Sequence, residues 1–320
     1  MKKFINDQEY FADKEYLTHS MIKDFISCEH YFRIKHIDKT FLDNEERDYF
    51  VFGSAVDSLL TESEGNFEER FMVLDRKIAT DNVEELYNEL KETERERDEK
   101  LEAGKPVKML EAKIVKINEK LDKIKEAEGK TQISSTVFGH IHDSVKEMRR
   151  QPLYEMFGIG KGGTSQDIIC AEINGVKRKG KLDHIDVKNK IIADVKTCAD
   201  ITKFDPRMYA TQLYYYRKLA SVHHKIDEQE WDCYITAVDK QTHYKRSEVF
   251  HLNKNIIDAA GLEIEAIIKQ MEDAKALGFY TPATNMAGAE IEDARRNKCY
   301  KCNYYNECEF SLQKEISHIA

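Results

Sequence analysis

Between residues 167 and 196 the apolar pattern switches from helical spacing to three strand-like runs joined by tight turns, and this stretch constrains the fold most. Asp167-Ile168-Ile169-Cys170-Ala171-Glu172-Ile173 reads as a strand. Asn174-Gly175 is the dipeptide a two-residue hairpin favours, because both central positions need positive φ. The return strand runs from Val176 to Ile185, and Lys188-Asn189-Lys190 turns the chain into Ile191-Ile192-Ala193-Asp194-Val195-Lys196. A helix over about Pro206–His223, strands over Trp231–Val238 and Glu248–Leu252, and a long helix over Lys254–Ala276 follow. Strands and helices arranged around a mixed sheet make an α/β fold.

Before the meander the chain reads as helical. Met21, Ile22, Phe25, Ile26, Phe32 and Ile34 recur at helical spacing, and a second helix is expected over residues 50–60. Residues 81–128 hold 15 acidic and 11 basic side chains and one aromatic, Tyr87. Within them Val107, Leu110, Ile114, Ile117, Leu121 and Ile124 step by 3, 4, 3, 4 and 3. That is the seam of a paired helix, so an antiparallel hairpin with arms of about 22 residues is expected, either a solvated insertion or an arm that guides DNA or forms an oligomer. The expected organisation is one continuous domain. It comprises a helical part over 1–80 with Cys28, the hairpin insertion 81–128, a core over 129–290 and a cysteine-bearing cap over 291–320.

Composition removes several classes of function. Fifty basic against 59 acidic residues give a net charge of −9, so nucleic acid is not held by bulk cationic charge. No run approaches the roughly 18–20 apolar residues of a membrane span, and the N-terminus lacks a signal-peptide core, so a cytoplasmic protein is expected. Seven cysteines, an odd number, argue against a disulfide framework.

The meander carries the chemistry. Asp194 and Lys196, two apart in a strand, share a face. Asp183, read as the end of a Gly180-Lys181-Leu182-Asp183 turn, falls beside Asp194 if the intervening hairpin is tight. Two converging carboxylates call for a cation, and hard oxygen ligands suit Mg²⁺ or Mn²⁺. Lys196 next to that ion can orient water and offset charge on an attacked phosphodiester. On the following helix Gln212 and Tyr216, one turn apart, share a face with Tyr209, and Arg207, Arg217 and Lys218 flank it; such an amide and phenol suit a phosphate or a nucleotide.

The series GKLD, DVK and QLYYY resembles the PD-(D/E)xK nuclease superfamily, in its RecB-like and phage RecE-like exonuclease branch. The resemblance covers about residues 20–60 and 165–310. It implies a restriction-endonuclease-like core, with Asp183, Asp194 and the Val195 carbonyl holding the metal, Lys196 catalytic, and Gln212, Tyr216 and Lys181 on DNA. Glu172 would be an outer-sphere or second-metal carboxylate. Where the family carries G-x3-H, this chain has Gly53-Ser54-Ala55-Val56-Asp57, so Asp57 would replace a histidine ligand and make the metal site all-oxygen. The implied activity is a Mg²⁺- or Mn²⁺-dependent DNA exonuclease working in recombination or DNA processing. A catalytically idle DNA-binding or assembly module on the same fold is the alternative.

Cys28 and a C-terminal C-x2-C-x5-C of Cys299, Cys302 and Cys308 resemble the [4Fe–4S] staple of AddB and CRISPR-associated exonucleases. Zn²⁺ held by the same four thiolates is the alternative. Cys170, Cys198 and Cys233 read as small buried hydrophobes. Lys177, Arg178, Lys179 and Lys181, together with Arg33, Lys35, His36 and Lys39 and with Arg295, Arg296 and Lys298, would form a phosphate track. DNA is the expected partner, with a single-strand annealing or recombinase protein and a second copy of the chain as further candidates.

Overall fold

The computed structural model describes residues 7–41, 48–62, 64–74, 83–151, 154, 163–241, 245–280, 302, 304–305 and 308. The chain forms two compact units, one of Met1–Arg47, Met148–Asp239 and Arg246–Ala320, the other of Asp48–Glu147 with Lys240–Lys245. None of the described helices is long and apolar enough to cross a membrane.

The first unit opens with α1 (Asp7–Ala12), α2 (His19–Ser27) and α3 (Glu29–Phe32). Thr18 caps α2, its hydroxyl accepting from the Met21 amide at 3.2 Å, and α2 buries Met21, Ile22 and Phe25. The helical spacing extends to Lys35 in the sequence, but Cys28 is extended (φ −165°, ψ 118°) and divides the run; a π-helical turn, Arg33–Ile37, follows α3.

The second unit holds α4 (Asp48–Thr61), α5 (Glu64–Arg70), β1 (Phe71–Leu74), α6 (Val83–Glu102), α7 (Lys108–Ala127), β2 (Thr131–Ser134) and most of α8 (Ser135–Met148). Helices α6 and α7 are the two arms of the expected hairpin. Ile114, Ile117 and Leu121 of the seam are buried, and Lys113 pairs with Glu89 across the arms at 2.9 Å. Strands β1 and β2 pair in parallel as a two-stranded sheet that the sequence pattern does not signal.

The remainder of the first unit is a five-stranded sheet in the order β3 (Thr164–Ile173), β4 (Val176–Asp186), β5 (Ile191–Cys198), β6 (Asp232–Asp239), β7 (Ser247–Leu252). Pairing is antiparallel except between β5 and β6, which run parallel because α9 (Ala210–His224) connects them. Asn174 and Gly175 turn β3 into β4 with φ of 53° and 79°, as a two-residue hairpin requires. Helix α9 and α10 (Lys254–Leu277) share one core with the strands, in which Leu182, Leu213, Leu219, Ile235, Ile257 and Ile264 are fully buried. Each such side chain contributes about 1.5–3 kcal/mol by leaving water. Gly261 lets the α10 backbone sit against the Tyr214 ring, where a Cβ would come within 2.3 Å of it.

Long-range polar contacts fix the sheet to its neighbours. Arg178 reaches inward from β4 to α10 and forms a two-pronged pair with Glu265 at 2.6 and 2.8 Å. Leu17 bridges to β4 through two main-chain hydrogen bonds, and the Tyr215 phenol donates to the Leu17 carbonyl at 2.5 Å.

Candidate active site

Strands β4 and β5 pair at only three positions, Asp186↔Ile191, Ile185↔Ile192 and His184↔Ala193, and then part. Beyond that point the Val195 amide donates to Asp183 Oδ2 at 2.8 Å. A side chain thereby completes a ladder that the main chain has left, and Asp183 lies against the stretch of β5 that carries Asp194. Asp183 sits inside β4, which continues to Asp186, rather than at the end of a turn.

Asp194 is 1% exposed and Lys196, two residues on, is paired with its Oδ2. The period of two places both on one face, as expected. Burial by itself would lower the Lys196 pKa; Asp194 and then Asp183 outweigh it, so the pKa is raised and the side chain stays an ammonium. The ammonium also lies 5.1 Å from the Tyr209 ring centroid, and Tyr209 stacks on Phe204 at 5.6 Å.

Gln212 Nε2 donates to Asp194 Oδ1 at 2.9 Å and to the Tyr216 phenol at 3.1 Å. The two residues expected to share a face do so, and that face is turned to the carboxylates. The Tyr216 phenol is raised well above its usual value, first by burial and then by Asp194 and Asp183. His19 was not foreseen: the ring nitrogen Nε2 lies 3.3 Å from Thr211 Oγ1, at the start of α9. Burial, then the nearby cations Lys23 and Lys196, push its pKa down to about 3, so it is neutral. No local pattern could have announced a contact across 192 positions.

The other expected residues are Glu172, Asp57 and Lys181. Glu172 is exposed opposite Lys177 next to the β3–β4 turn. Lys177 is six residues from Asp183 along β4, about 20 Å at strand rise, so Glu172 does not join the carboxylates. Asp57 is on α4 in the other unit, half-buried, with its carbonyl accepting from Thr61 Oγ1 at 2.7 Å. Lys181, half-buried, shares the strand period of Asp183.

The expected phosphate track is largely consumed by internal pairing. Arg178 is committed to Glu265, Lys177 to Glu15, and the Lys179 ammonium to the Tyr10 and Asp13 carbonyls. Arg217 pairs with Asp258, Lys218 with Glu228, Arg207 with Asp205, Arg33 with Asp38, and Lys35 and His36 with Asp24. An arginine buried to 1% exposure needs its carboxylate, and α10 supplies Glu265 and Asp258. Arg295, Arg296 and Lys298 lie outside the described residues.

Of the four expected cluster cysteines, Cys299 lies outside the described residues. Cys28, Cys302 and Cys308 are each half-buried. Tyr304, between the last two, meets the Phe41 ring at 5.1 Å, and Phe41 meets Tyr31 at 6.1 Å, one turn from Cys28. Tyr280, at the exit of α10, packs on Phe32 at 6.0 Å. Both contacts bring the C-terminal part of the chain onto the N-terminal helices. Cys170 and Cys233 are buried as expected, whereas Cys198 is half-buried, its thiol directed at the Val238 carbonyl.

Comparison with known proteins agrees with this architecture. Residues 18–282 match the family described as a PDDEXK-like domain of unknown function (DUF3799). In three dimensions the chain is similar to a crystal structure from Eubacterium rectale provisionally described as an exonuclease. The TM-score is 0.56 at 16% identity, covering 96% of this chain and 94% of that one. A structure of the protein SSO0001 aligns over 82% of this chain and 96% of its own at 14% identity, with a TM-score of 0.31. No curated protein matches in sequence. At 16% identity the likeness to the Eubacterium rectale structure is one of fold, and with the family match the fold is the mixed α/β, restriction-endonuclease-like core.

Proposed function

The chain belongs to the PDDEXK-like DUF3799 family, and from that premise we propose that it is a metal-dependent DNA exonuclease that hydrolyses phosphodiester bonds. The observation that carries this reading is the meeting of Asp183, Asp194 and Lys196 where β4 and β5 separate, with Gln212 braced on Asp194. Two carboxylates with one ammonium, the latter paired with Asp194 Oδ2, leave a net charge of −1 at the centre. A divalent cation suits that deficit. Among the described residues no group of three His, Cys, Asp or Glu side chains is gathered. The donors would therefore be Asp183, Asp194 and the Val195 carbonyl, with the remainder water or phosphate oxygen, which Mg²⁺ accepts readily.

When bound, Mg²⁺ or Mn²⁺ lowers the pKa of attacking water and offsets phosphate charge. The Lys196 ammonium, held protonated by the two carboxylates, donates to the water and to the charge that grows on the phosphate oxygens. Gln212 keeps Asp194 oriented, and Tyr216 and Lys181 line the approach of the DNA. Cys28, Cys299, Cys302 and Cys308 would hold an iron–sulfur cluster that staples the chain ends; the Tyr304–Phe41 contact supports that reading. A role in recombination or DNA processing is consistent with these assignments. The test is incubation of purified protein with end-labelled linear DNA and with covalently closed circles, in Mg²⁺, in Mn²⁺ and in EDTA. Release of nucleotides from linear DNA only, and only with metal, is expected; intact linear DNA in both Mg²⁺ and Mn²⁺ overturns the proposal.

A further inference from the structure

Tyr209, Gln212 and Tyr216 stand three and four residues apart, the spacing of one helix face, with Tyr209 at the N-cap position of α9. That face meets β5 residue by residue. Gln212 donates to Asp194 Oδ1, Tyr216 backs Gln212, and the Tyr209 ring lies under the Lys196 ammonium, 5.1 Å from its centroid.

The Tyr209 ring is itself held. Phe204 stacks on it at 5.6 Å with 20° between the planes, and Phe250 meets Phe204 at 5.5 Å. Phe250 pairs with Ile235, which pairs with Asp194, so β7 delivers this side chain to the sheet face that carries Asp194 and Lys196. The 3₁₀ turn Pro206–Tyr209 is stiff as well. Asp205 Oδ1 accepts the Arg207 amide at 3.0 Å, and Pro206 fixes φ at the first position.

A lysine stem of four carbons is flexible, and two attractions fix this one: the Asp194 carboxylate and the Tyr209 ring face. A divalent cation bound to Asp194 would compete with the ammonium for that carboxylate, and the two like charges repel. The ring face is free of that competition. We propose that Tyr209, backed by Phe204 and Phe250, is a positioning residue that keeps the Lys196 ammonium in place when a metal ion claims the carboxylate. The catalytic consequence rests on the nuclease reading; the contact itself does not. A base-stacking role fits Tyr209 less well, since Phe204 is already stacked on the ring and the ammonium lies over it.

The test labels lysine Cε with ¹³C in the full-length protein, with Lys196→Arg identifying the resonance. Protons held over a ring face are shifted upfield, so the Lys196 signal should stand upfield of the other lysines, with and without millimolar Mg²⁺. Tyr209→Leu should return it to the ordinary lysine position, and Tyr209→Phe should keep it. On linear DNA, Tyr209→Leu should lower kcat about tenfold, the scale of one desolvated cation–π contact, with KM within about twofold of wild type. Tyr209→Phe should stay within about twofold in both. Tyr234→Leu removes a ring beside Ala193 on the opposite face of the sheet and should leave kcat unchanged, which separates positioning from lost stability. The proposal is overturned by an unshifted wild-type signal, by a shift that vanishes on adding Mg²⁺, or by a Tyr209→Leu protein with wild-type kcat. Equal losses in the Phe and Leu variants, or in Tyr234→Leu, overturn it too. Wild-type protein that shows the shift but cleaves nothing counts against the nuclease reading, while the placement of Lys196 by Tyr209 stands.

Discussion

Asp183 Oδ2 accepts the Val195 main-chain amide at 2.8 Å, at the point where β4 and β5 cease to pair. One carboxylate therefore ends a ladder with one oxygen and faces Asp194 as part of the same group. The structural role and the proposed metal-binding role meet in Asp183, and substitution can separate them. Asp183→Asn keeps an oxygen for the Val195 amide but loses the charge; Asp183→Ala loses both.

The Asn variant is expected to melt close to wild type while losing at least about 100-fold in DNA cleavage. The Ala variant should lose the activity and, in addition, about 1–3 kcal/mol of stability, because a part-buried amide is left without its acceptor. Parallel melting curves and end-labelled DNA assays decide this. An Asn variant cleaving within twofold of wild type would remove Asp183 from the metal site.

Lys196 is the ion-pair partner of a carboxylate that is almost wholly buried. Lys196→Met should abolish cleavage and also destabilise the metal-free protein by about 3–5 kcal/mol, since Asp194 becomes a buried unpaired charge. Millimolar Mg²⁺ should restore more of the melting temperature to this variant than it adds to wild type, because the ion takes up the charge the lysine had balanced. Equal shifts in both proteins would argue that no divalent ion sits at Asp194.

His19 is expected to set part of the acid limb of stability. In the unfolded chain it binds a proton below about pH 6.5, whereas in the folded chain it does so only near 3. The unfolded form therefore holds more protons across that window, and stability falls as pH falls through it. His19→Gln, which can still reach Thr211 but does not titrate, should lose less stability on going from pH 7 toward 4. Denaturant midpoints that fall equally in the two proteins would show that His19 does not contribute.

The proposed iron–sulfur cluster would have a visible signature. Protein purified without oxygen should be brown, with a shoulder at about 400 nm. Cys28→Ser should bleach it as fully as Cys302→Ser does if both ends supply ligands. Colourless protein with about one zinc per chain would replace iron by zinc. A Cys28→Ser protein that retains its full metal content would eliminate the end-to-end staple in either form.

Much of the architecture was legible in the sequence because its signals are local. The Asn174-Gly175 turn, the seam from Val107 to Ile124 and the same-face placement of Asp194 with Lys196 each follow from a period or a turn chemistry contained within a few residues. The small β1–β2 sheet had no such signal, being two four-residue strands separated by 56 positions. The division of the first helical run at Cys28 was equally hidden, since the apolar spacing continues through it.

The sequence by itself determined the order of strands and helices from Asp167 onward, the face shared by Gln212 and Tyr216, and the face shared by Asp194 and Lys196 on β5. Only the tertiary structure decided which basic residues are drawn into buried ion pairs. Arg178 and Lys181 lie three apart on one strand, yet Arg178 points to a glutamate 87 positions away, while Lys181 shares the strand period of Asp183. A long cationic side chain carries no local preference for core or solvent; a distant carboxylate arriving on a packed helix makes that choice. The same physics placed His19 against Thr211 and Asp183 against Val195: a hydrogen bond between remote segments forms only once the packing of α9 on the sheet, and the parting of β4 from β5, have brought donor and acceptor within reach.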